Sequence, residues 1–394
     1  MNRLVVLLPV LLILACETTP AAPKAAAAPF DWCTAGKAPD EACFAAKRDP
    51  ASANVALALS IAKRQAVLRP KADFAWNWGD AVMMQAFIDL HRVTADAPTL
   101  TYARTWLDLN IAAGYAITSS DTAAPVGADV ALWKLTGDAN YRKPIDDFLA
   151  YVDHVALKTP EGGLNHMGDS DLLGVALWVD SLFMVGQPLV RLTLATGEAA
   201  PLNEMGKQVG IFIDKLQDPS GFFHHATENA LKQDPDVFWG RGNGWVVWAL
   251  ADYLRARKMR GEQDAKAEAA LHKLVAAVIA SQDAATGLWW TVLNRPGETY
   301  LETSATALFA AGMARGWRAG VLGNEVLPVI AKAMVGVKAK IVNGADGPVV
   351  TGVSGPTSAG TFATYKGVGV QDDLTYGIGA VVLALIETSG LPAN

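Results

Sequence analysis

One short pattern recurs along the sequence and decides the fold: Leu135-Thr136-Gly137-Asp138, Ala195-Thr196-Gly197-Glu198, Arg260-Gly261-Glu262 and Ala319-Gly320. In each case a glycine follows a helix-like apolar run. Glycine readily takes the left-handed conformation that ends a helix, and a polar residue after it can begin the next one. The glycines stand about sixty residues apart, which indicates a repeated pair of helices joined by a tight corner.

The stretches between these corners have the apolar spacing of amphipathic helices. Ala56-Leu57-Leu59-Ile61-Ala62 and Val82-Met83-Ala86-Phe87-Leu90 repeat at helical intervals, whereas strand-like alternation is rare. Helix pairs that are joined by longer loops and closed on themselves form an α/α toroid, so we expect an all-α fold. The pattern predicts helices near residues 51–69, 79–94, 99–113, 124–136, 140–156, 172–196, 200–217, 243–258, 263–282, 303–317, 324–340 and 377–389.

The first fifty residues have the pattern of an export signal followed by a tether. Arg3 precedes an apolar run, and Ile13-Leu14-Ala15-Cys16 resembles the bacterial lipobox, in which the cysteine receives lipid. An ordinary secretory signal with an incidental Cys16 is the alternative. We expect a lipoprotein signal peptide over residues 1–15, a lipidated Cys16 with a Pro/Ala-rich tether over 16–49, and one catalytic domain over 50–394. The protein would then be exported and attached to a membrane, on the periplasmic side or at the cell surface.

Cys33 and Cys43 are the remaining cysteines. In an oxidising compartment a close pair favours a disulfide over a zinc site, because no histidine or third cysteine stands near enough to complete four zinc ligands.

Charge and motifs exclude several classes of function. The net charge is −6, and lysines and arginines are scattered without the basic stripe that neutralises phosphates, so nucleic acid is not an expected partner. The sequence has no phosphate-binding P-loop, no dinucleotide-binding glycine motif and no H-E-x-x-H zinc motif. We expect a monomer that needs neither metal nor cofactor.

Two aspartates are candidates for acid–base chemistry. Asp180 lies within Trp178-Val179-Asp180-Ser181-Leu182-Phe183-Met184, which is predicted as the middle of an apolar helix. A buried carboxyl needs a partner or takes a raised pKa, and a raised pKa is what a general acid requires. Donors from neighbouring helices could instead satisfy Asp180. Asp121, in the loop before Pro125-Val126-Gly127, could be a second carboxylate or a helix N-cap.

Tryptophans in polar surroundings indicate carbohydrate. They occur in Trp76-Asn77-Trp78-Gly79-Asp80, in Leu288-Trp289-Trp290 and in Trp239-Gly240-Arg241-Gly242-Asn243-Gly244-Trp245. Indole packs on the C–H face of a sugar while nearby polar groups meet its hydroxyls, although half-buried tryptophans that stabilise loops are the alternative.

Arg241 and three histidines complete the candidate site. Arg241 stands beside a helix start predicted at Asn243, where its fork could bind a carboxylate, unless it pairs with a structural aspartate. His166 and the pair His224-His225 follow glycine-containing loops, and are candidates for hydrogen bonds to a sugar unless they are solvated loop residues.

At these residues the sequence resembles the unsaturated rhamnogalacturonyl hydrolases of glycoside hydrolase family 105 and the related unsaturated glucuronyl hydrolases of family 88. The resemblance runs from about Trp76 to Ile386. It is carried by the segments around Asp180 and Arg241 quoted above, by Tyr300-Leu301-Glu302-Thr303-Ser304-Ala305-Thr306-Ala307, and by Tyr376-Gly377-Ile378-Gly379-Ala380. It implies an (α/α)6 barrel without a metal, acting on the 4,5-unsaturated uronic acid that polysaccharide lyases leave behind.

The resemblance also assigns roles. It implies that Asp180 is the catalytic acid/base and Asp121 the second carboxylate, and that the substrate contacts are His166, Trp178, His225, Trp239, Arg241 and Trp245; we add Trp76 as a further candidate contact. The family places its histidine four residues after the glycine equivalent to Gly221, which favours His225 over His224. The aromatic-Asp pair that usually follows that histidine is replaced here by Ala226-Thr227-Glu228.

The implied reaction is hydration of an enol ether. An acid protonates C4 of the C4=C5 bond, water adds at C5, and the resulting hemiketal opens and releases the neighbouring sugar. A pectin-derived oligosaccharide is the expected substrate. The alternatives are a family 88-like enzyme acting on glycosaminoglycan-type fragments and a non-catalytic oligosaccharide-binding lipoprotein.

Overall fold

The computed structural model describes residues 48–392. Cys16, Cys33 and Cys43 lie outside the described residues, so the lipid anchor and the disulfide stay predictions. In chain order the helices are α1 (Ala53–Leu68), α2 (Trp78–Thr94), α3 (Ala97–Ala113), α4 (Ser120–Ala123), α5 (Val126–Thr136), α6 (Arg142–Ala150), α7 (Ser181–Met184), α8 (Gly186–Thr196), α9 (Ala200–Leu216), α10 (Gly240–Met259), α11 (Ala265–Ala280), α12 (Thr303–Arg318), α13 (Val326–Ala339), α14 (Phe362–Val368) and α15 (Thr375–Glu387). A short 3-10 turn (Ala139–Tyr141) precedes α6, and a π-helical turn (Tyr151–Val155) follows it.

Two concentric layers of helices form a closed ring. In the inner layer α2, α5, α8, α10, α12 and α15 each pack on the next, and α15 returns to α2. In the outer layer α3, α6, α9, α11 and α13 pack on the inner helix that precedes each of them, and α1 packs on α15. The inner helices α10, α12 and α15 are buried on nearly every face, because both layers surround them. The predicted all-α fold is confirmed, and it is an (α/α)6 barrel.

The glycine corners join inner to outer helices as the sequence predicts. Their glycines all have positive φ, at 70° for Gly137, 78° for Gly197, 71° for Gly261 and 66° for Gly320. Ala95 takes the same left-handed conformation between α2 and α3, with φ 57°. The sequence pattern misses this corner because alanine, which disfavours positive φ, stands where the others have glycine.

A belt of buried ion pairs links the inner helices near their C-terminal ends. Arg315 on α12 donates to Asp252 on α10 at 2.8 Å and pairs with Glu387 on α15 at 2.5 Å. Arg191 on α8 donates to Asp89 on α2 at 2.6 Å. All these side chains are buried, so each charge is held by an opposite charge on another element of the ring. This charge belt consists of Arg48, Asp89, Arg191, Asp252, Arg255, Arg315 and Glu387.

Three small antiparallel sheets lie between the helices. They pair β1 (Trp289–Trp290) with β2 (Leu301–Glu302), β3 (Ile341–Gly344) with β4 (Gly347–Val350), and β5 (Val353–Ser354) with β6 (Val370–Gln371). Within residues 48–392, no helix is both long and apolar enough to cross a membrane.

The structure corrects two predicted helix starts. The helix predicted over 172–196 begins only at Ser181, because the preceding segment forms turns and irregular backbone in which Trp178 pairs with Ala226 and the Val179 N–H donates to the His225 carbonyl at 2.8 Å. Asp180 therefore lies directly before a helix and not in the middle of one. The helix predicted from Asn243 begins at Gly240, so Arg241 lies in its first turn.

Candidate active site

The candidate site lies where the chain enters the inner helices. Their N-terminal ends share one rim of the ring, opposite the charge belt, and the long segments between outer and inner helices meet there. Asp121 lies in α4, directly before α5, and Asp180 directly before α7. Ser119, and not Asp121, is the N-cap of α4, since its side chain accepts a hydrogen bond from the Thr122 N–H. The carboxylate of Asp121 is therefore not used as a helix cap.

Both carboxyl groups have raised pKa values. Burial raises the pKa of Asp180 to about 6, against the opposing charge of Arg241. Oδ1 of Asp180 is buried and accepts no hydrogen bond from the described residues, so donors from neighbouring helices do not satisfy this oxygen. Burial also raises the pKa of Asp121 to about 6; the nearby His166 opposes this and the charge of Asp180 adds to it. The two carboxyls are thus close enough to influence each other.

His166 and Trp178 form one wall beside these carboxyls. Their rings stack with centroids 4.6 Å apart and planes 6° from parallel. His166 Nε2 lies 3.9 Å from Asp121 Oδ1, while its Nδ1 lies 3.0 Å from Ser181 Oγ. Burial lowers the pKa of His166, which keeps the imidazole neutral near pH 7.

His225 continues this wall. Its ring meets that of Trp178 in a T-shaped arrangement with ring centroids 5.2 Å apart, and it stacks on Trp239 with ring centroids 4.2 Å apart. Its Nδ1 lies 2.9 Å from the hydroxyl of Tyr365, and its buried Nε2 has no partner among the described residues. His224 points elsewhere, with Nε2 3.5 Å from Asp218. Of the two adjacent histidines, His225 is therefore the one that joins the aromatic wall.

Arg241 ties two parts of the rim together. Its Nη1 donates to the carbonyl of Ser354, and its Nη2 donates to the carbonyl of Gly355 and the hydroxyl of Thr357. The guanidinium also lies 4.8 Å from the ring centres of Trp239 and of Tyr376. Three of the five N–H donors of the guanidinium are therefore used within the protein, while Nε is buried without a partner among the described residues. Arg241 pairs with backbone carbonyls and not with a structural aspartate, and its contact with a substrate carboxylate stays a prediction.

The tryptophans divide into rim and core. Trp178 and Trp239 lie in the wall, and the indole N–H of Trp239 is buried without a partner among the described residues. Trp245, by contrast, is a core residue packed on Phe183 with ring centres 4.4 Å apart. Trp289 is also core, and its indole donates to the Val278 carbonyl. For these two the predicted contact with sugar is not what the structure shows.

Two half-buried tryptophans stand at the edge of the rim. Trp76 stacks on Tyr115 at 4.6 Å, and its indole N–H donates to the carbonyl of Thr122, next to Asp121. Trp78 stacks on Tyr376 at 4.5 Å. Trp76 therefore braces the segment that carries Asp121, in addition to offering an aromatic surface near it.

Several residues that build the rim were not predicted from the sequence. Glu302 caps α12 and accepts hydrogen bonds from the backbone N–H groups of Ser304, Ala305 and Ser354. The Tyr376 hydroxyl donates to the Ser354 carbonyl at 2.6 Å. Glu302 and Tyr376 stand in quoted motifs, which was an available signal. Tyr365 stands in a segment of small polar residues, and only its distant contact with His225 distinguishes it.

A cavity of about 420 Å³ adjoins His225 and Tyr365. It is lined by the segment that departs from the family pattern, including Thr227 and Glu228, and by the facing Asp234. Within residues 48–392, no group of three or more His, Cys, Asp or Glu side chains stands where it could hold a metal ion.

Comparisons with known proteins agree with this architecture. Residues 57–391 match the family model described as Glycosyl Hydrolase Family 88. The chain is similar to the unsaturated rhamnogalacturonyl hydrolase YesR of Bacillus subtilis, with 27% identity over 245 residues, which cover 61% of this chain and 71% of that protein. It is also 30% identical to an unsaturated 3S-rhamnoglycuronyl hydrolase of Alteromonas sp. over 189 residues, which cover 44% of this chain and 45% of that enzyme.

Solved structures share the fold. A crystal structure of a possible member of the GH105 family from Klebsiella pneumoniae superposes with a TM-score of 0.74 at 22% identity, covering 84% of this chain and 91% of the other. A family 105 glycoside hydrolase of C. acetobutylicum gives the same TM-score at 21% identity, with 84% of this chain and 98% of the other covered. The family model matches most of the length of this chain, which shows that the chain belongs to glycosyl hydrolase family 88 and is a glycoside hydrolase.

Proposed function

We propose that this glycoside hydrolase removes a terminal 4,5-unsaturated uronic acid from lyase-generated oligosaccharides, with unsaturated rhamnogalacturonan fragments as its first substrate class. The observation that carries the proposal is the pair Asp121 and Asp180, two neighbouring carboxyls whose pKa values are both raised to about 6 beside an aromatic wall. The names of the similar enzymes from Bacillus subtilis and Alteromonas sp. support the unsaturated uronic acid as the target.

Asp180 is the proposed acid. A carboxyl with a pKa of about 6 is substantially protonated in weakly acidic solution, and its pKa is near the pH at which it would act. It would deliver its proton to C4 of the C4=C5 bond, and the carboxylate that results would take a proton from the water that adds at C5. The C5 hemiketal then opens to a ketone and leaves a hemiacetal at C1, which collapses to an aldehyde and releases the neighbouring sugar as an alcohol.

Asp121 and the aromatic wall would bind the sugar. Asp121 can accept hydrogen bonds from ring hydroxyls, and its charge state depends on Asp180 through their mutual repulsion. His225 packs between Trp178 and Trp239, and His166 stacks on Trp178, so the wall combines aromatic rings with ring N–H or lone-pair groups, which suits a flat unsaturated ring. Arg241 would contribute positive charge near Asp180 without forming a bidentate pair.

Ultraviolet absorbance tests the proposal directly, because the enol ether absorbs and its hydration product does not. We expect the purified protein to abolish the absorbance of lyase-digested rhamnogalacturonan and to leave a saturated galacturonide uncleaved. Turnover in heavy water should place deuterium at C4. Cleavage of the saturated galacturonide, or product without label at C4, would contradict the mechanism.

The leaving sugar is the less constrained part of the substrate. The family 88-like alternative is separated by the ratio of kcat/KM on unsaturated rhamnogalacturonan and chondroitin disaccharides; a higher value on chondroitin would favour that alternative. Membership of a hydrolase family argues against the alternative of a non-catalytic binding lipoprotein.

We further propose that the enzyme is an exported monomer held at a membrane by lipid on Cys16. The support is the sequence Ile13-Leu14-Ala15-Cys16 behind an apolar run and a positive residue. Palmitate labelling of the full chain should depend on Cys16, and Cys16→Ser should release the protein from the membrane fraction. Labelling that survives the substitution would contradict the anchor.

A further inference from the structure

The hydroxyl partner of His225 determines which nitrogen of its imidazole ring carries the proton. Tyr365 Oη lies 2.9 Å from Nδ1 of His225 and also accepts the N–H of Gly360 at 3.4 Å. Burial raises the pKa of Tyr365, so the phenol keeps its proton. A phenol has one proton to donate, and among the described contacts of this oxygen Nδ1 is the only possible acceptor, since Gly360 N–H is itself a donor. The proton of the neutral imidazole is then on Nε2.

The hydroxyl partner of His166 leads to the opposite result. Ser181 Oγ donates its single proton to Ser120 Oγ at 2.9 Å, so it can only accept from Nδ1 of His166, which lies 3.0 Å away. The proton of His166 is therefore on Nδ1, and Nε2 carries a lone pair. That lone pair lies 3.9 Å from Oδ1 of Asp121.

We propose that Tyr365 and Ser181 are positioning residues that hold His225 and His166 in opposite neutral tautomers, so that His225 presents an N–H donor and His166 a lone pair. Their ligands follow from this polarity. His225 Nε2 would donate to a carboxylate or hydroxyl oxygen of the sugar, and His166 Nε2 would accept from a sugar hydroxyl or from protonated Asp121. The ligand part rests on the proposed function, whereas the tautomers do not.

Burial favours the uncharged form of both rings. Burial lowers the pKa of His166, and burial with the nearby His166 and Arg241 lowers the pKa of His225 well below its ordinary value. A neutral ring has a single N–H, so the hydroxyl on Nδ1 decides what Nε2 offers. If either tautomer were reversed, the wall would present two donors or two acceptors where one of each is now available.

Nitrogen-15 NMR of the ligand-free enzyme, labelled at histidine and assigned with His225→Gln and His166→Gln, tests the tautomers without any substrate. We expect a protonated Nε2 with a bare Nδ1 at His225 and the reverse at His166. Tyr365→Phe should shift the His225 signals toward a mixture of tautomers and leave those of His166 in place, and Ser181→Ala should do the converse. The same protonated nitrogen at both histidines of the wild-type enzyme would overturn the proposal, whether or not any variant folds.

Kinetics test what the tautomers do. Tyr365→Phe should lower kcat on the unsaturated disaccharide about tenfold with a smaller change in KM, on the scale of one misdirected hydrogen bond. Tyr300→Phe is the matched control, because its hydroxyl bonds to Ser354 Oγ and not to a histidine; it should keep both the tautomers and kcat. Unchanged kcat in Tyr365→Phe despite a shifted tautomer would refute the role in the reaction. Absence of turnover by the wild-type enzyme would instead refute the proposed function and leave the NMR result standing.

Discussion

Carboxyl groups stand at both ends of the inner ring, and their pKa values shift in opposite directions. In the charge belt, burial alone would raise the pKa of Asp252, but the charges of Arg255 and Arg315 outweigh it and the pKa is lowered. At the opposite rim, Asp121 and Asp180 are half-buried and have no such cations in contact, and their pKa values rise to about 6. The arginines therefore decide the direction of the shift, because the more deeply buried Asp252 has the lowered pKa.

This difference indicates that the carboxyl groups at the two ends of the ring have different roles. A buried pair whose hydrogen bonds are satisfied fixes the geometry of the ring, and removing one partner leaves an uncompensated charge. A buried carboxyl without a cation costs stability but can exchange a proton near neutral pH. The same residue type is structural at one end of the barrel and chemical at the other.

The largest expected effect is on the reaction. Asp180→Asn should lower kcat by about two to four orders of magnitude, because the amide cannot exchange a proton. The melting temperature should stay the same or rise, since no ion pair is lost and a buried charge is removed. Asp218→Asn, a loop carboxyl beside His224, is the control and should retain activity. An Asp180→Asn enzyme with near-normal kcat would remove Asp180 from the mechanism.

At the belt, the expected effect is on stability. Arg315→Met should lower the free energy of unfolding by about 3 kcal/mol or more, because it breaks contacts with both Asp252 and Glu387. Denaturant unfolding measures it, and the folded enzyme should keep its KM. Arg142→Met, which breaks the exposed pair with Asp146, should change stability little. Equal losses of unfolding free energy in Arg315→Met and Arg142→Met would show that burial of the charge belt does not increase its contribution to stability.

The pH dependence should differ in sign between the two ends. Asp121 and Asp180 have folded pKa values above their unfolded ones, so their contribution to stability is present below pH ~4 and is lost as the pH rises toward about 6. Asp252 has a lowered pKa, so its contribution is present above pH ~4 and is lost on acidification. The free energy of unfolding should be measured from pH 3 to 8 for the wild type and for an Asp121→Asn/Asp180→Asn variant. Only the wild type should lose stability as the pH rises toward about 6. The same dependence of the unfolding free energy on pH in both proteins would contradict the raised pKa values. In turnover, kcat should fall above pH ~6 as Asp180 loses its proton.

The smallest expected effect concerns Arg241, the one rim residue held as firmly as the belt. Arg241→Lys should lower the melting temperature by a few degrees, because an ammonium cannot replace donors to both the Ser354 and Gly355 carbonyls. We expect KM to rise only about two- to fivefold, because the substitution removes a contact to the backbone near the substrate and not a contact to the substrate itself. A rise of a hundredfold with an unchanged melting temperature would show that Arg241 grips the substrate itself.

Local chemistry was sufficient to predict most of the barrel from the sequence. Apolar spacing located eleven of the twelve predicted helices close to their observed positions, and glycine marked four corners, because both signals depend on residues a few positions apart. The failures have local causes as well. The corner at Ala95 is not predicted, because alanine stands there in place of glycine. The segment before Ser181 is apolar enough to resemble a helix, but its Trp178 pairs with Ala226 instead.

The sequence by itself determined the ring of helix pairs and the residues available for chemistry at one rim. Only the tertiary structure decided what each charged or polar group does, because its partner comes from a distant part of the chain. Asp89 is satisfied by an arginine 102 positions away, while Asp180, which also has apolar neighbours in sequence, has Arg241 nearby but forms no ion pair with it. Arg241 reaches carbonyls 113 and 114 positions away, and His225 meets a hydroxyl 140 positions away. Helices follow from short-range spacing, whereas hydrogen-bond partners and pKa values follow from which segments the closed ring brings together.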